Sequence, residues 1–269
     1  MYARNIFWAA VLILVGLLLL LSNLGIIQVD VWSLVGPFFL ITLGVWVLWS
    51  AFVGPGAAEA EEIIIPLEGA TSAHVHVEYG AGRLRVGADT ASDELLNGRF
   101  GGGLKYRASS EGDKRRVKMD VPFHDPFSYI FHGSWGRGRG AFDWTFGLNE
   151  QIPLALEFEV GAAQTELDLT DLQVTDLRLE TGASATSITL PARAGHTRAK
   201  ISAGAASVSI RIPPDVAARI HTSGGLASID VDRERFPRQG KMYQSPGYEA
   251  AANKVDLDVE AGVGSITVR

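Results

Sequence analysis

The chain has 269 residues, a formal net charge of −6 and no cysteine. The missing cysteines exclude disulfide staples, thiol catalysis and zinc sites built on Cys, and the mildly acidic balance removes the electrostatic basis for nucleic-acid binding. Apolar residues make up 47% of the chain but crowd into its first 54 positions, while the remainder is rich in Gly, Ala, Thr and Asp; the length suits an anchor plus one ordinary domain.

Residues 1–56 hold only Arg4 and Asp30 as charges. Two apolar runs, about 6–24 and 31–53, flank a short loop ending at Asp30, and each reaches the roughly 20 residues that cross about 30 Å of hydrocarbon. Backbone amides in lipid must pair within their own segment, so the spacing predicts a two-helix transmembrane hairpin. Trp8, Trp32, Trp46 and Trp49 fall towards the ends of the runs, where amphipathic rings sit at headgroups. A cleaved signal peptide is the alternative for residues 1–27, with Arg4 as its basic start, but no small-x-small cleavage site precedes Asp30. The expected localisation is therefore a multi-pass protein of the cell membrane, with the lipid bilayer as its first partner. Arg4, alone, points the N-terminus and hence the following domain to the cytoplasmic side.

After Pro55-Gly56-Ala57-Ala58, read as a linker, residues 57–269 repeat one pattern: alternating apolar positions, a small-residue corner, then alternating apolar positions again. Copies begin at Val75 (VHVEYGAGRLRV), Leu156 (LEFEVGAAQTELDL), Leu177 (LRLETGASATSITL), Ala199 (AKISAGAASVSIRI), Ala218 (ARIHTSGGLASIDV) and Leu257 (LDVEAGVGSITV). Corners at Gly161, Gly182, Gly204 and Ser223, beside Gly224, are 21, 22 and 19 residues apart. The first and last copies have shorter corners, Gly80-Ala81-Gly82 and Gly262-Val263-Gly264. A period near 20 residues predicts stacked short strands, a β-solenoid whose units share a core that none could bury alone. Glycine at the corners is expected to supply positive φ. An antiparallel β-sandwich with Gly-rich hairpins is the alternative fold.

Two segments break the rhythm. Residues 122–147 hold 8 of the chain's 24 aromatic residues. Of these, Phe142, Trp144 and Phe146 alternate as a core-filling strand would. Phe127, Tyr129, Phe131 and Trp135 lie in a stretch broken by Pro126 and Gly133, and fit equally a protruding interaction loop or packing against the domain's flank. Residues 233–254, longer and more basic, read as a cap on the solenoid's end or as a docking loop.

No catalytic constellation emerges. His74 and His76 share one face of a strand and could clip a metal, but no third ligand follows at a completing spacing, so an exposed strand face is the simpler reading. His124, Asp125 and His132 have no nucleophile signature nearby. Asp168, Asp171 and Asp176 lack the G-G-x-G-x-D series of calcium-binding β-rolls. Gly136-Arg137-Gly138-Arg139-Gly140 is an isolated RGG-type element in an acidic chain. The expectation is a non-enzymatic protein without cofactor or metal.

The hairpin stretch LILVGLLLLLSNLGIIQVDVWSLVGPFFLITLGVWVL resembles the transmembrane region of LiaI/LiaF-type bacterial envelope-stress proteins. VEYGAGRLRVGADTASDELLNGRF, LEFEVGAAQTELDLTDLQVTDLRLETGASATSITLP and GAASVSIRIP are similar to the toast-rack β-domain of LiaF-like, cell-wall-active-antibiotics response proteins. The resemblance implies a bacterial membrane-anchored sensor or regulator of envelope stress, acting through protein or lipid contact, with a membrane histidine kinase or another envelope-stress protein as a partner. A structural or adhesin-like surface protein displaying a β-solenoid binding face is the alternative. Neither reading fixes an oligomeric state.

Overall fold

The computed structural model describes residues 60–122, 142–240 and 242–269. The chain divides after Gly54, and the described residues belong to the unit Pro55–Arg269. They form an all-β fold with one short 3-10 turn, Tyr248–Ala250, and no helix among them is long and apolar enough to cross a membrane. The expected fold class, a helical hairpin followed by a β-domain, is corrected to this all-β architecture, in which backbone groups pair between strands and not within helices. The multi-pass membrane localisation drawn from that hairpin falls with it. The two spans placed at 6–24 and 31–53 lie outside the described residues.

The strands in chain order are β1 (Ala60–Pro66), β2 (Ser72–Ala88), β3 (Glu94–Gly101), β4 (Lys105–Glu111), β5 (Lys114–Asp120), β6 (Trp144–Leu148) and β7 (Pro153–Asp168). They continue as β8 (Gln173–Thr181), β9 (Ala185–Thr189), β10 (His196–Arg211), β11 (Ala217–Val231), β12 (Arg238–Gln239), β13 (Met242–Gln244) and β14 (Lys254–Val268). The long strands are the sequence repeats, each bent at its small-residue corner. They pair in parallel and in register along the order β2, β7, β8 with β9, β10, β14, β11. This parallel ladder replaces the antiparallel sandwich alternative.

Alternation explains which residues are inside. In β7, Leu154, Leu156, Phe158 and Val160 are buried before the corner, and Ala163, Thr165 and Leu167 after it. The parity shifts by one residue at the bend, so both arms turn their apolar positions to a common core. An aromatic cluster fills the core where β2, β3 and β6 meet. Trp144 lies 5.1 Å from the Tyr79 ring and meets Phe100 edge-on at 5.3 Å, while Phe100 and Phe146 stack at 5.8 Å. The Trp144 indole N–H donates to the Gly101 carbonyl at 3.2 Å, which satisfies its one polar atom inside the core.

Among the six bent rungs, stacking order departs from chain order at one point. β14, the last strand, lies between β10 and β11 and pairs in register with both, Ile201 and Thr222 flanking Val259. Inner positions explain why. β14 turns Val255, Leu257, Val259, Ile266 and Val268 inward, all buried, and needs a neighbour on each side. β11 carries Thr222, Gly224 and Ala227 inward in its middle, composition that tolerates an end rung. The segment 233–254 then lies against the outer edge of β11, where β13 pairs antiparallel through Arg219–Gln244, Ile220–Tyr243 and His221–Met242. Within this segment Phe236 is fully buried, and Arg235 donates to the carbonyls of Ile212, Pro213 and Val216.

The corner glycines Gly80, Gly161, Gly182, Gly204, Gly262 and Gly225 fall in one column along the rungs. A Cβ on Gly161 would lie 2.5 Å from the Gly80 carbonyl oxygen, one on Gly182 2.9 Å from that of Gly161, and one on Gly262 2.8 Å from that of Gly204. Glycine is required there by close approach of backbones. Positive φ, the expected reason, occurs at the second glycine of the two short corners, Gly82 (φ 126°) and Gly264 (φ 129°). At the β11 rung the column passes through Gly225, and Gly224 sits one place earlier, opposite Ala261.

Candidate binding face

Before the corner, each rung points every second residue outward, and register turns those residues into ladders. The ladder beside the glycine column reads Glu78, Glu159, Glu180, Ser202, Glu260, Ser223 across β2, β7, β8, β10, β14 and β11. The next reads His76, Glu157, Arg178, Lys200, Asp258, His221, and the third His74, Ala155, Asp176, Arg198, Asp256, Arg219. Glycines with no side chain beside a wall of carboxylates leave an open trough of about 1220 Å³ along the corner. A second hollow of about 780 Å³ lies over the other two ladders, where Ala155 stands among charged neighbours.

Charges on this face are paired sideways between rungs. Arg198 Nε meets Asp176 at 3.1 Å, Lys200 reaches Glu260 at 3.7 Å and Lys118 of β5 pairs with Glu78, while Arg178 donates to Glu180 along its own strand at 2.8 Å. Asp256 is the centre of the β14 end: Tyr248 donates its O–H at 2.7 Å, His196 Nε2 lies at 2.8 Å and Arg219 at 3.6 Å. Burial would raise the Asp256 pKa, but the hydrogen bonds from Tyr248 and His196 outweigh it and hold the carboxyl below its ordinary range. The Tyr248 hydroxyl is pushed the other way by burial and by the Asp256 carboxylate.

At the β2 end, His74 and His76 stand over Glu157 and Glu159. His76 Nδ1 lies 3.1 Å from Glu157 Oε2, and its Nε2 3.3 Å from Glu78 Oε1 and 3.6 Å from Glu159 Oε1. His74 Nε2 is 3.7 Å from the same Glu157 oxygen. Burial lowers the His74 pKa, and Lys114 and Arg116 add to that against Glu157. The third ligand that the strand itself lacks is thus supplied by the neighbouring rung. Superposing the corners, Gly80 on Gly161, sets His76 opposite Glu157 and Glu78 opposite Glu159; that alignment is the signal that local spacing along one strand misses.

The interaction residues expected at Phe127, Tyr129, Phe131 and Trp135 lie outside the described residues, as do His124, Asp125, His132 and the Gly136–Gly140 element. Of the remaining aromatics, Trp144 and Phe146 are core and Phe142 is half-buried. Asp168 caps a turn, its carboxylate accepting from the Thr170 N–H at 3.2 Å and from the Thr170 hydroxyl at 2.6 Å. Asp171 pairs with Arg193 at 3.7 Å.

A bent, in-register parallel stack with a flat charged face defines a β-solenoid of the toast-rack class. Residues 54–211 match the family model described as the N-terminal domain of toast_rack, DUF2154, and the chain belongs to that family. No curated protein matches the chain. Among solved structures, a crystal structure of a candidate cell adhesion protein from Clostridium sporogenes ATCC 15579 is similar, with a TM-score of 0.68 and 18% identity over 78% of this chain and 98% of the other. At that identity the likeness is one of fold.

Proposed function

We propose that the toast-rack domain is a non-catalytic binding module that presents the outer ladders of its rungs to another macromolecule, in a bacterial regulator of envelope stress. The observation that carries this reading is the face itself. Six rungs hold a row of carboxylates beside the corner glycines and two mixed rows of acidic and basic residues in fixed register, a surface suited to electrostatic complementarity with a partner. The resemblance to LiaF-like proteins supports a histidine kinase as that partner, restrained by contact. An adhesin-like role is the second reading, and the fold shared with the Clostridium candidate adhesion protein favours it.

Photo-crosslinking residues placed at Lys200 and Asp258, on the ladders, and at Ser187 and Ser209, outward on the other arm, separate these readings in living cells. Capture of a histidine kinase from positions 200 and 258 alone is the expected result. Capture of cell-wall or foreign-surface material from the same positions would favour adhesion. Equal capture from both pairs, or none, would overturn the assignment of the face.

A further inference from the structure

The β2 end of the face carries more than a row of surface charge. We propose that His76, Glu157 and Glu159 form a binding site for a divalent transition-metal ion of the zinc class, with the coordination position towards solvent left to water.

The first observation is the donor set. One ligand atom from each of the three residues lies within 4.8 Å of the others. A tetrahedral zinc with bonds of about 2.0–2.2 Å spaces its ligands roughly 3.3–3.6 Å apart, so a small side-chain rotation closes the cluster on a metal. Imidazole together with carboxylates suits zinc and its neighbours in the first transition row, whereas calcium and magnesium prefer oxygen alone.

The second observation is independent of that geometry. Carboxylate oxygens lie beside both nitrogens of His76. Nε2 is buried and makes no hydrogen bond, while Glu78 and Glu159 lie beside it. A cation between Nε2 and the Glu159 carboxylate gives that unpartnered nitrogen a ligand bond. The local cations are committed elsewhere: Lys118 pairs with Glu78, and Arg178 donates to Glu180, standing 3.8 Å from Glu157. His74 Nε2, 3.7 Å from Glu157, stands next to the site as a second imidazole.

The test is calorimetric titration of the tag-free full chain with Zn²⁺, repeated with Co²⁺, whose visible absorption reports tetrahedral coordination. One equivalent should bind, Ca²⁺ and Mg²⁺ should not compete, and Zn²⁺ should raise the melting temperature because it binds only the folded state. His76→Gln and, separately, Glu157→Gln should weaken binding at least about tenfold, with unchanged melting temperature in the metal-free protein. Glu166→Gln, on the same strand as Glu159 but past the corner, should bind as the parent does. Equal affinity in His76→Gln and the parent, or no saturable binding by the parent, would overturn the site.

Discussion

Gly264→Ala is expected to destabilise the protein by about 2–6 kcal/mol, the sum of two costs of ~1–3 kcal/mol each. One is backbone strain, because φ at Gly264 is 129°, a region closed to side chains. The other is overlap: a Cβ there would run into the carbonyl oxygen of Ala206 on the neighbouring rung, which is backbone and cannot swing away. Gly161→Ala carries only the second cost, with its Cβ 2.5 Å from the Gly80 oxygen, and should lose ~1–3 kcal/mol. Gly80→Ala is the control. It has the same residue type at the same place in the rung, but nothing lies within 4 Å of the added carbon, so it should change stability by no more than about 0.5 kcal/mol. Urea unfolding of the three variants checks the order; equal losses at Gly80 and Gly161 would show that rung-to-rung approach is not what selects glycine.

Removing the last strand should abolish cooperative folding of the domain. In a solenoid stacked in chain order, loss of the final rung would only expose a new end. Here β14 lies between β10 and β11, so truncation after Asn253 opens the middle of the stack. Val255, Leu257, Val259, Ile266 and Val268 are buried, and at ~1.5–3 kcal/mol each their loss is on the order of 10 kcal/mol, comparable with the whole stability of an ordinary domain. The truncated chain should show no unfolding transition and rapid proteolysis throughout residues 196–231. A truncated chain that still melts cooperatively would contradict the central position of β14.

The sequence makes the rungs legible and leaves their order obscure. Alternation marks the inward residues of β2, β7 and β10, and the corner glycines mark the bends, because both are local patterns. Order is not local. VDLDVEAGVGSITV looks like one more copy of the unit, and only its apolar inner face, compared with Thr222 and Gly224 in β11, hints that it must be covered on both sides. The reason for the glycines also escapes the sequence, since close approach and positive φ select the same residue. The His76–Glu157–Glu159 cluster is half legible: the histidines share a strand face, but the carboxylates come from a strand 81 residues further along and meet them only through register. The helical hairpin read from the apolar runs and the interaction loop at 127–135 both fall outside the described residues, and the fold that is described is all-β.

Rung order and register carry the whole account, since they assemble both the charged face and the proposed metal site. The chain has no cysteine, so introduced pairs report directly on neighbours. Ser207 and Ser265, on β10 and β14, bring their Oγ atoms to 3.1 Å, whereas Ser228 on β11 is one rung beyond, roughly 9–10 Å from Ser207 at about 4.8 Å per strand. A disulfide needs Cα atoms within about 7 Å. The double variant Ser207→Cys with Ser265→Cys should oxidise to completion in the folded protein, and Ser207→Cys with Ser228→Cys should stay reduced; the reverse outcome would mean that the rungs stack in chain order and would contradict the architecture described here.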